Sequence, residues 1–228
     1  VPYLAGNKVC IWFDSVGGRV WIIIRGTFSV ENVIQDFDYP KAYDPILGAW
    51  VHRGFLQATQ RLEPLIRSKI APHSRLYITG HSLGGAVAVL LAIHLHKAGF
   101  FLGPVYTFGQ PKVLAESTVV AYRCLPVVRF VNDDDPVPFI PPTLPAPDNP
   151  ADSLHPSWHG IYRHLGDEVV LHLPDGYDYS LTHNEYRNGF LYASRIWKDL
   201  KSKDYKKLLP DHLPNEYARR VAILAGIR

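Results

Sequence analysis

Methionine is absent from all 228 residues, the first position included. That absence leads to the expectation of a processed or truncated N-terminus. Cysteine occurs only twice, as Cys10 and Cys124, too few for a disulfide framework. Both lie in strand-like runs (VCIWF and YRCLPVV), which suit buried free thiols, with a single disulfide as the alternative. There is no Cys-x-x-Cys and no His-Glu-x-x-His. The eleven histidines show no ligand spacing beyond His94-x-His96, which a helix would turn to different faces. No metal and no cofactor is therefore expected. No apolar run approaches the ~18 residues of a membrane span. Charge of one sign is also lacking: 24 Lys and Arg against 21 Asp and Glu leave a net +3. No like-charge block exceeds Asp133 to Asp135, and the Lys198–Lys207 segment is interrupted by Asp199 and Asp204, as a solvated helix face would be. Nucleic acid and anionic membrane are thus not expected partners. The chain reads as soluble, secreted or cytoplasmic, with its oligomeric state open.

What is present is material for a core. Hydrophobic residues make up 47% and charged residues 20%, which suits one domain over residues 1–228. Lys8–Asp14 and Arg19–Ile24 are apolar runs parted by Gly17-Gly18 and predict an antiparallel hairpin. Ser29–Tyr39 has apolar residues at Val30, Val33, Ile34 and Phe37, an amphipathic helix pattern. Phe55 to Ile70 predicts a second helix, kinked or divided at Pro64. Strands are expected at Arg75–Thr79, Gly103–Phe108 and Pro126–Val131, with a helix over Gly85–Ala98. Eight prolines between Pro136 and Pro156 predict a long irregular loop. A second hairpin is expected with Gly166-Asp167 as its turn and Glu168–Leu173 as its second strand. Arg187–Lys201 and Asn215–Gly226 read as helices, the latter begun by Pro214. Strands alternating with helices predict an α/β domain: a mostly parallel central sheet, helices on both faces, and an antiparallel edge.

Chemistry concentrates at Tyr77-Ile-Thr-Gly-His-Ser-Leu-Gly-Gly-Ala86. Gly80-x-Ser82-x-Gly84 sits between a strand-like run and a small-residue helix. That context fits a nucleophile elbow, in which a sharp turn lifts the Ser82 hydroxyl clear of the backbone. The plainer alternative is a tight turn whose serine caps the helix. A serine nucleophile needs a base within reach and a carboxylate to fix the base's tautomer. On this kind of fold they follow in the order Ser, acid, His. The acid should come from the loop after a later strand, which here holds Asp133, Asp134 and Asp135. Asp135 precedes a proline and is thereby biased to an extended conformation. Two histidines precede C-terminal helices, His183 and His212. His81, His159, His164 and His172 read as structural.

The chain resembles the class 3 lipases, an α/β-hydrolase family that includes fungal triacylglycerol lipases. Ile24-Arg-Gly-Thr27, Val51-His-x-Gly-Phe55, Gly80-His-Ser-Leu-Gly-Gly-Ala86, Thr107-Phe-Gly-Gln-Pro111 and Val131-Asn-x-x-Asp-Pro-Val-Pro138 carry the likeness. They stand in the family's order. The resemblance implies Ser82 as nucleophile, Asp135 as acid and an oxyanion hole from Thr27 and Leu83. It favours His212 as base over His183, because Asp211-His212 with Tyr217 matches the family's C-terminal pattern. Lys112-Val-Leu departs from the usual Arg-Val-Gly after Gly-Gln-Pro. The implied activity is hydrolysis of a lipid or other carboxylic ester, at an oil–water interface for a lipase. An esterase for short-chain or aromatic esters, a phospholipase A1 and a silent binding module are the alternatives. By the same resemblance Ser29–Tyr39 would be a lid, with a fixed surface helix as the rival reading. The proline-rich loop, with Phe139, Ile140, Leu144 and Leu154, would wall an acyl pocket or be a rigid surface loop.

Overall fold

In a computed structural model of the chain, the residues described are 3–5, 9–14, 18–26, 41–132, 135–140, 162–171, 179–182 and 210–227. The main sheet has eight strands side by side in this order: β1 (Tyr3–Ala5), β2 (Val9–Asp14), β3 (Arg19–Ile24), β6 (Arg75–His81), β7 (Phe101–Phe108), β9 (Val127–Asn132), β11 (Asp167–Leu171) and β12 (Tyr179–Thr182). From β3 to β11 the neighbours are parallel. The edges β1-β2-β3 and β11-β12 are antiparallel. The expected N-terminal hairpin is β2 and β3. A smaller antiparallel sheet, unforeseen from the sequence, holds β4 (Lys41–Asp44), β5 (Ala49–His52), β8 (Leu114–Ala115) and β10 (Tyr162–Arg163) in the order β10-β8-β5-β4.

Four helices are described: α1 (Arg53–Arg67), α2 (Leu83–Lys97), α3 (Glu116–Tyr122) and α4 (Pro214–Leu224). The two-residue period of a strand divides the main sheet into two faces. Val20, Ile22, Ile24, Leu76, Ile78 and Val105 face the core shared with α1 and α2. α2 is buried continuously from Gly84 to Leu95, as a helix apolar on every side must be. α1 buries one stripe, Phe55, Leu56, Thr59, Glu63 and Ile66. Pro64 does not divide α1, which runs unbroken from Arg53 to Arg67. It lies in the last turn, where a missing N–H forfeits one bond and the helix stops three residues on. The opposite face carries rings: Trp21 stacks on Tyr77 at 4.8 Å and Phe108 on Phe130 at 5.1 Å. α4 covers the Phe108 end of that face with Tyr217, Val221 and Leu224.

Two expectations fail here. Residues 162–171 form no hairpin: β10 pairs with β8 in the small sheet, while β11 joins the main sheet parallel to β9. Gly166, at φ 91°, is where the chain passes between the sheets. A Cβ there would lie 2.3 Å from the Val127 carbonyl oxygen, so close approach, not a hairpin turn, accounts for the glycine. Cys124 is free but exposed, in the turn after α3. Of Cys10 only the backbone of β2 is described. The expected segments 29–39 and 187–201, most of the proline-rich stretch, and the residues between β12 and position 210 lie outside the described residues.

One buried polar cluster ties the α1–α2 layer together. His94 of α2 bonds Glu63 of α1 through Nδ1 and Asp44, at the end of β4, through Nε2, both at 2.7 Å. Asp44 also accepts the Ile46 and Leu47 amides. Arg67 meets Glu63 at 3.3 Å, and nearby Lys97 donates to the Ile46 carbonyl. Burial alone would lower the His94 pKa, but the Asp44 and Glu63 bonds and charges outweigh it and leave it raised. For Asp44, burial pushes upward, and His94 with the two amides reverses this to a net lowering. A raised histidine stabilises fully below its unfolded pKa of about 6.5 and loses that as pH rises through the folded value. A lowered aspartate stabilises fully above about 3.9 and loses that as pH falls through its folded value. The cluster is therefore strongest between about pH 4 and 6.5. Urea unfolding across pH should show stability declining above that window in the wild type. His94→Leu, which leaves two buried carboxylates without their shared cation, should cost about 3–5 kcal/mol within the window. A flat wild-type profile above pH 6.5 would contradict this account.

Candidate active site

Ser82 stands between β6 and α2 with φ 57° and ψ −129°, a region that side chains rarely occupy. The turn is tight enough that two glycines are obligatory. A Cβ on Gly80 would sit 2.2 Å from the Gly84 carbonyl oxygen, and one on Gly84 would sit 2.3 Å from that of Ile24. Ser82 N–H donates to the Phe108 carbonyl at 2.9 Å, fixing the turn to the end of β7. Ser82 occupies the N-cap place of α2 yet makes no side-chain cap bond. Its Oγ is buried and has no hydrogen-bond partner among the described residues. The helix-capping reading therefore does not describe this hydroxyl. Leu83 opens α2, so its N–H has no acceptor within the helix.

Asp135 and His212 meet across 77 positions of sequence. Asp135 follows β9, its N–H donating to the Asn132 carbonyl at 3.0 Å. Its carboxylate is fully buried and held by several donors. The Val137 amide reaches Oδ1 at 2.9 Å, and the Tyr217 hydroxyl reaches Oδ2 at 2.6 Å. His212 Nδ1 lies 2.9 Å from Oδ1 and 2.8 Å from Oδ2. A carboxylate only accepts, so this bond puts the proton on Nδ1 and leaves the Nε2 lone pair bare. His212 Nε2 is buried and, like Ser82 Oγ, has no partner among the described residues. Each such orphan costs about 1–3 kcal/mol, the kind of deficit that an active site retains. Tyr217 stays a phenol: burial first, then the charge of Asp135 and the bond to it, raises its pKa well above normal. It is thus a fixed donor to the acid and accepts the Asn132 amide at 3.0 Å.

Two further groups press on His212. His81 bonds the His212 carbonyl through Nε2 at 2.7 Å, and the two rings lie 4.6 Å apart. A carbonyl only accepts, so Nε2 carries the hydrogen. Burial, then the neighbouring His212, lowers the His81 pKa to about 4, so this ring is neutral at neutral pH. Gly109, at φ 55°, leaves room for Asp135 and His212. A Cβ there would lie 2.6 Å from Asp135 Oδ2 and 2.9 Å from His212 Nδ1. Beside the base, on the α4 side of the sheet, a cavity of about 730 Å³ is lined by Ile23, Thr79, His81, Phe108, His212 and Leu213, among others.

Of the residues expected from the sequence, the structure brings Ser82, Leu83, Asp135 and His212 to the C-terminal ends of the parallel strands. Thr27 lies outside the described residues. Arg25 and Gly26 lead to it along the elbow: a Cβ on Gly26 would lie 2.6 Å from the His81 carbonyl oxygen. His183, His159, His172, Asp133, Asp134, Leu144 and Leu154 also lie outside. His164 is buried and bonds the Pro138 carbonyl at 2.7 Å, on the acid's loop. Sequence reading passed over the contacts of His81 and Gly109. It used Tyr217 only as a spacing mark. The glycine of Phe108-Gly109-Gln110 was the available signal, since a glycine right after a strand marks a tight approach.

The class 3 lipase model matches residues 21–144. A secreted mono- and diacylglycerol lipase 1 of Fusarium solani is 34% identical over 140 residues, covering 58% of this chain and 42% of that protein. A lipase of Rhizomucor miehei is 36% identical over 136 residues, covering 54% of this chain and 38% of its own. The match thus spans about two fifths of the length of these relatives. A solved triacylglycerol lipase, described as having a serine protease triad as its catalytic centre, superposes with a TM-score of 0.62 at 26% identity. That superposition covers 82% of this chain and 70% of the other.

Gly109→Ala tests how closely Asp135 and His212 depend on this space. A left-handed alanine costs roughly 1–2 kcal/mol by itself, measurable as a lower unfolding midpoint. The added methyl also displaces the Asp135–His212 pair. Turnover of any ester that the protein cleaves should fall by about a hundredfold, because ~1 Å misplacements cost that much. Unchanged turnover with only the stability loss would show that the pair tolerates the displacement.

Proposed function

This chain belongs to the class 3 lipase family, and from that premise we propose that it hydrolyses carboxylic esters of lipids through an acyl-enzyme. Ser82 is the nucleophile, His212 the general base and Asp135 the residue that orients and compensates the base. The observation that carries the reading is the polarity of His212. Its Nδ1 is committed to both oxygens of a buried Asp135, while Nε2 is buried with no partner among the described residues. That arrangement holds one tautomer and presents a lone pair for the serine proton. In the proposed reaction His212 takes the proton from Ser82 Oγ as it attacks the ester carbonyl. The carbonyl oxygen becomes an oxyanion, for which we assign the N–H groups of Leu83 and Thr27 as donors. The imidazolium then protonates the leaving alkoxide. Water, deprotonated by the same nitrogen, releases the carboxylic acid and frees Ser82.

Long-chain acylglycerols are the substrate class we favour, in keeping with the mono-, di- and triacylglycerol lipases to which the chain is similar. Esters of shorter or aromatic acids are the second reading, because one methylene changes pocket affinity by only about 1–3 kcal/mol. Thr27, and the proposal that Ser29–Tyr39 forms a lid, complete the reading without being part of its support.

Ser82→Ala and His212→Ala should each lower kcat by about a thousandfold or more and abolish labelling by a fluorophosphonate. His183→Ala should keep most of the activity; the reverse pattern of the two histidine variants would transfer the base to His183. Hydrolysis of an ester series of increasing acyl length, below and above each ester's solubility limit, checks the substrate class. A steep rise above the limit for long acyl chains is expected, whereas a rate that peaks on short, dissolved esters would favour the second reading.

A further inference from the structure

The base-bearing turn is held by a buried cation that no step of the reaction uses. His212 ends a short 3-10 turn, Pro210–His212. Its immediate neighbour Asp211 is gripped from both sides. Asn132 Nδ2, at the end of β9, donates to the Asp211 carbonyl at 2.7 Å. On the side-chain side, Arg220 of α4 donates from Nη2 to Asp211 Oδ1. Arg220 is 1% exposed, so its charge must be compensated within the protein. Nε donates to Glu216 Oε1 at 2.7 Å and Nη1 to the Leu171 carbonyl, at the end of β11, at 3.3 Å. Arg219 first, and then Arg220, draws the Glu216 pKa down to about 2, so that partner is ionised throughout the working range.

We propose that Arg220 is a positioning residue for the base. Its planar fork fixes α4, the Asp211–His212 turn and the end of β11 as one rigid unit, and so sets where the His212 ring stands against Asp135. The register of the sheet makes the link short. Leu171, which accepts from Arg220, is paired with Asn132, whose side chain holds the turn at Asp211. The Asn132 amide goes to Tyr217, and Tyr217 goes to Asp135. Tyr217 and Arg220 lie three residues apart on α4, hence on one face. The first reaches the acid and the second reaches the base's turn. Lysine could not replace the arginine here, since a point charge cannot address Asp211, Glu216 and a carbonyl in one plane.

The inference rests on the reading of His212 as base, and the test separates the two. Arg220→Met, Asp211→Asn, their double variant and His212→Ala are compared for kcat and KM on a short, dissolved ester. The low-field proton NMR signal of the His212–Asp135 bond is followed in each. Arg220→Met and Asp211→Asn are expected to lower kcat by about ten- to a hundredfold with little change in KM. Both should weaken or abolish the low-field signal. The double variant should be no worse than the worse single one, because both act through one contact. If Arg220→Met does not fold, Asp211→Asn, whose side chain is partly exposed, decides by the same readouts. An unchanged signal with unchanged kcat, or losses that multiply in the double variant, would overturn the clamp while His212→Ala remains inactive. Activity surviving in His212→Ala would instead overturn the assignment of the base.

Discussion

The backbone of one residue organises the site. At φ 57° and ψ −129° Ser82 stores strain of about 1–3 kcal/mol, which persists only because its surroundings permit nothing else. On one side Gly84 is jammed against the Ile24 carbonyl; on the other the Ser82 amide is tied to Phe108. Behind it α2 is buried along most of its length. The strand ends β3, β6 and β7 therefore meet at a single point. Asp135 follows β9, and His212 ends the 3-10 turn that precedes α4.

The same helix carries a buried imidazole–carboxylate cluster at its far end, and the contrast explains what each can do. His94 has a carboxylate on both ring nitrogens. It is saturated, so it can brace α1 against α2 but has no lone pair to offer. His212 has its carboxylate on Nδ1 alone, and among the described residues the other nitrogen is uncommitted. Two clusters of similar composition thus differ by one hydrogen bond, and that bond separates a brace from the proposed base. The Asp135 carboxylate would attract a second donor at any open position. Tyr217 and the Val137 amide occupy those positions, which leaves His212 one geometry in which to bond.

What could be read from the sequence follows from how local each signal is. The Ser82 elbow is encoded within ten consecutive residues, and both flanking elements are long and periodic. The parallel strands were readable for the same reason. The small sheet was not, because β4, β5, β8 and β10 have between two and four residues each, too few to display a period. The expected hairpin at Gly166 failed because a turn signal says nothing about partners, and β11 finds its partner β9 nearly forty residues back. His94-x-His96 invited a question about metal, whereas the partners of His94 lie 31 and 50 residues away. Of the acid–base pair, the proline after Asp135 and the Asp-His before α4 were legible. The contacts of Tyr217, His81 and Arg220 were not, since each bridges elements that only folding brings together.

Placing the base, a donor to the acid and the buried arginine on or beside one eleven-residue helix has a thermal consequence. α4 is held to the sheet by few apolar side chains and by a cluster of polar bonds, so its opening is a smaller event than melting the eight-stranded sheet. When α4 lifts away, the proposed proton acceptor and the support of Asp135 leave together, while the strained serine turn stays where it was. On gentle heating the proposed activity would therefore be lost before the sheet comes apart. On cooling it would regain function as quickly as one helix can dock, with no need to rebuild its core.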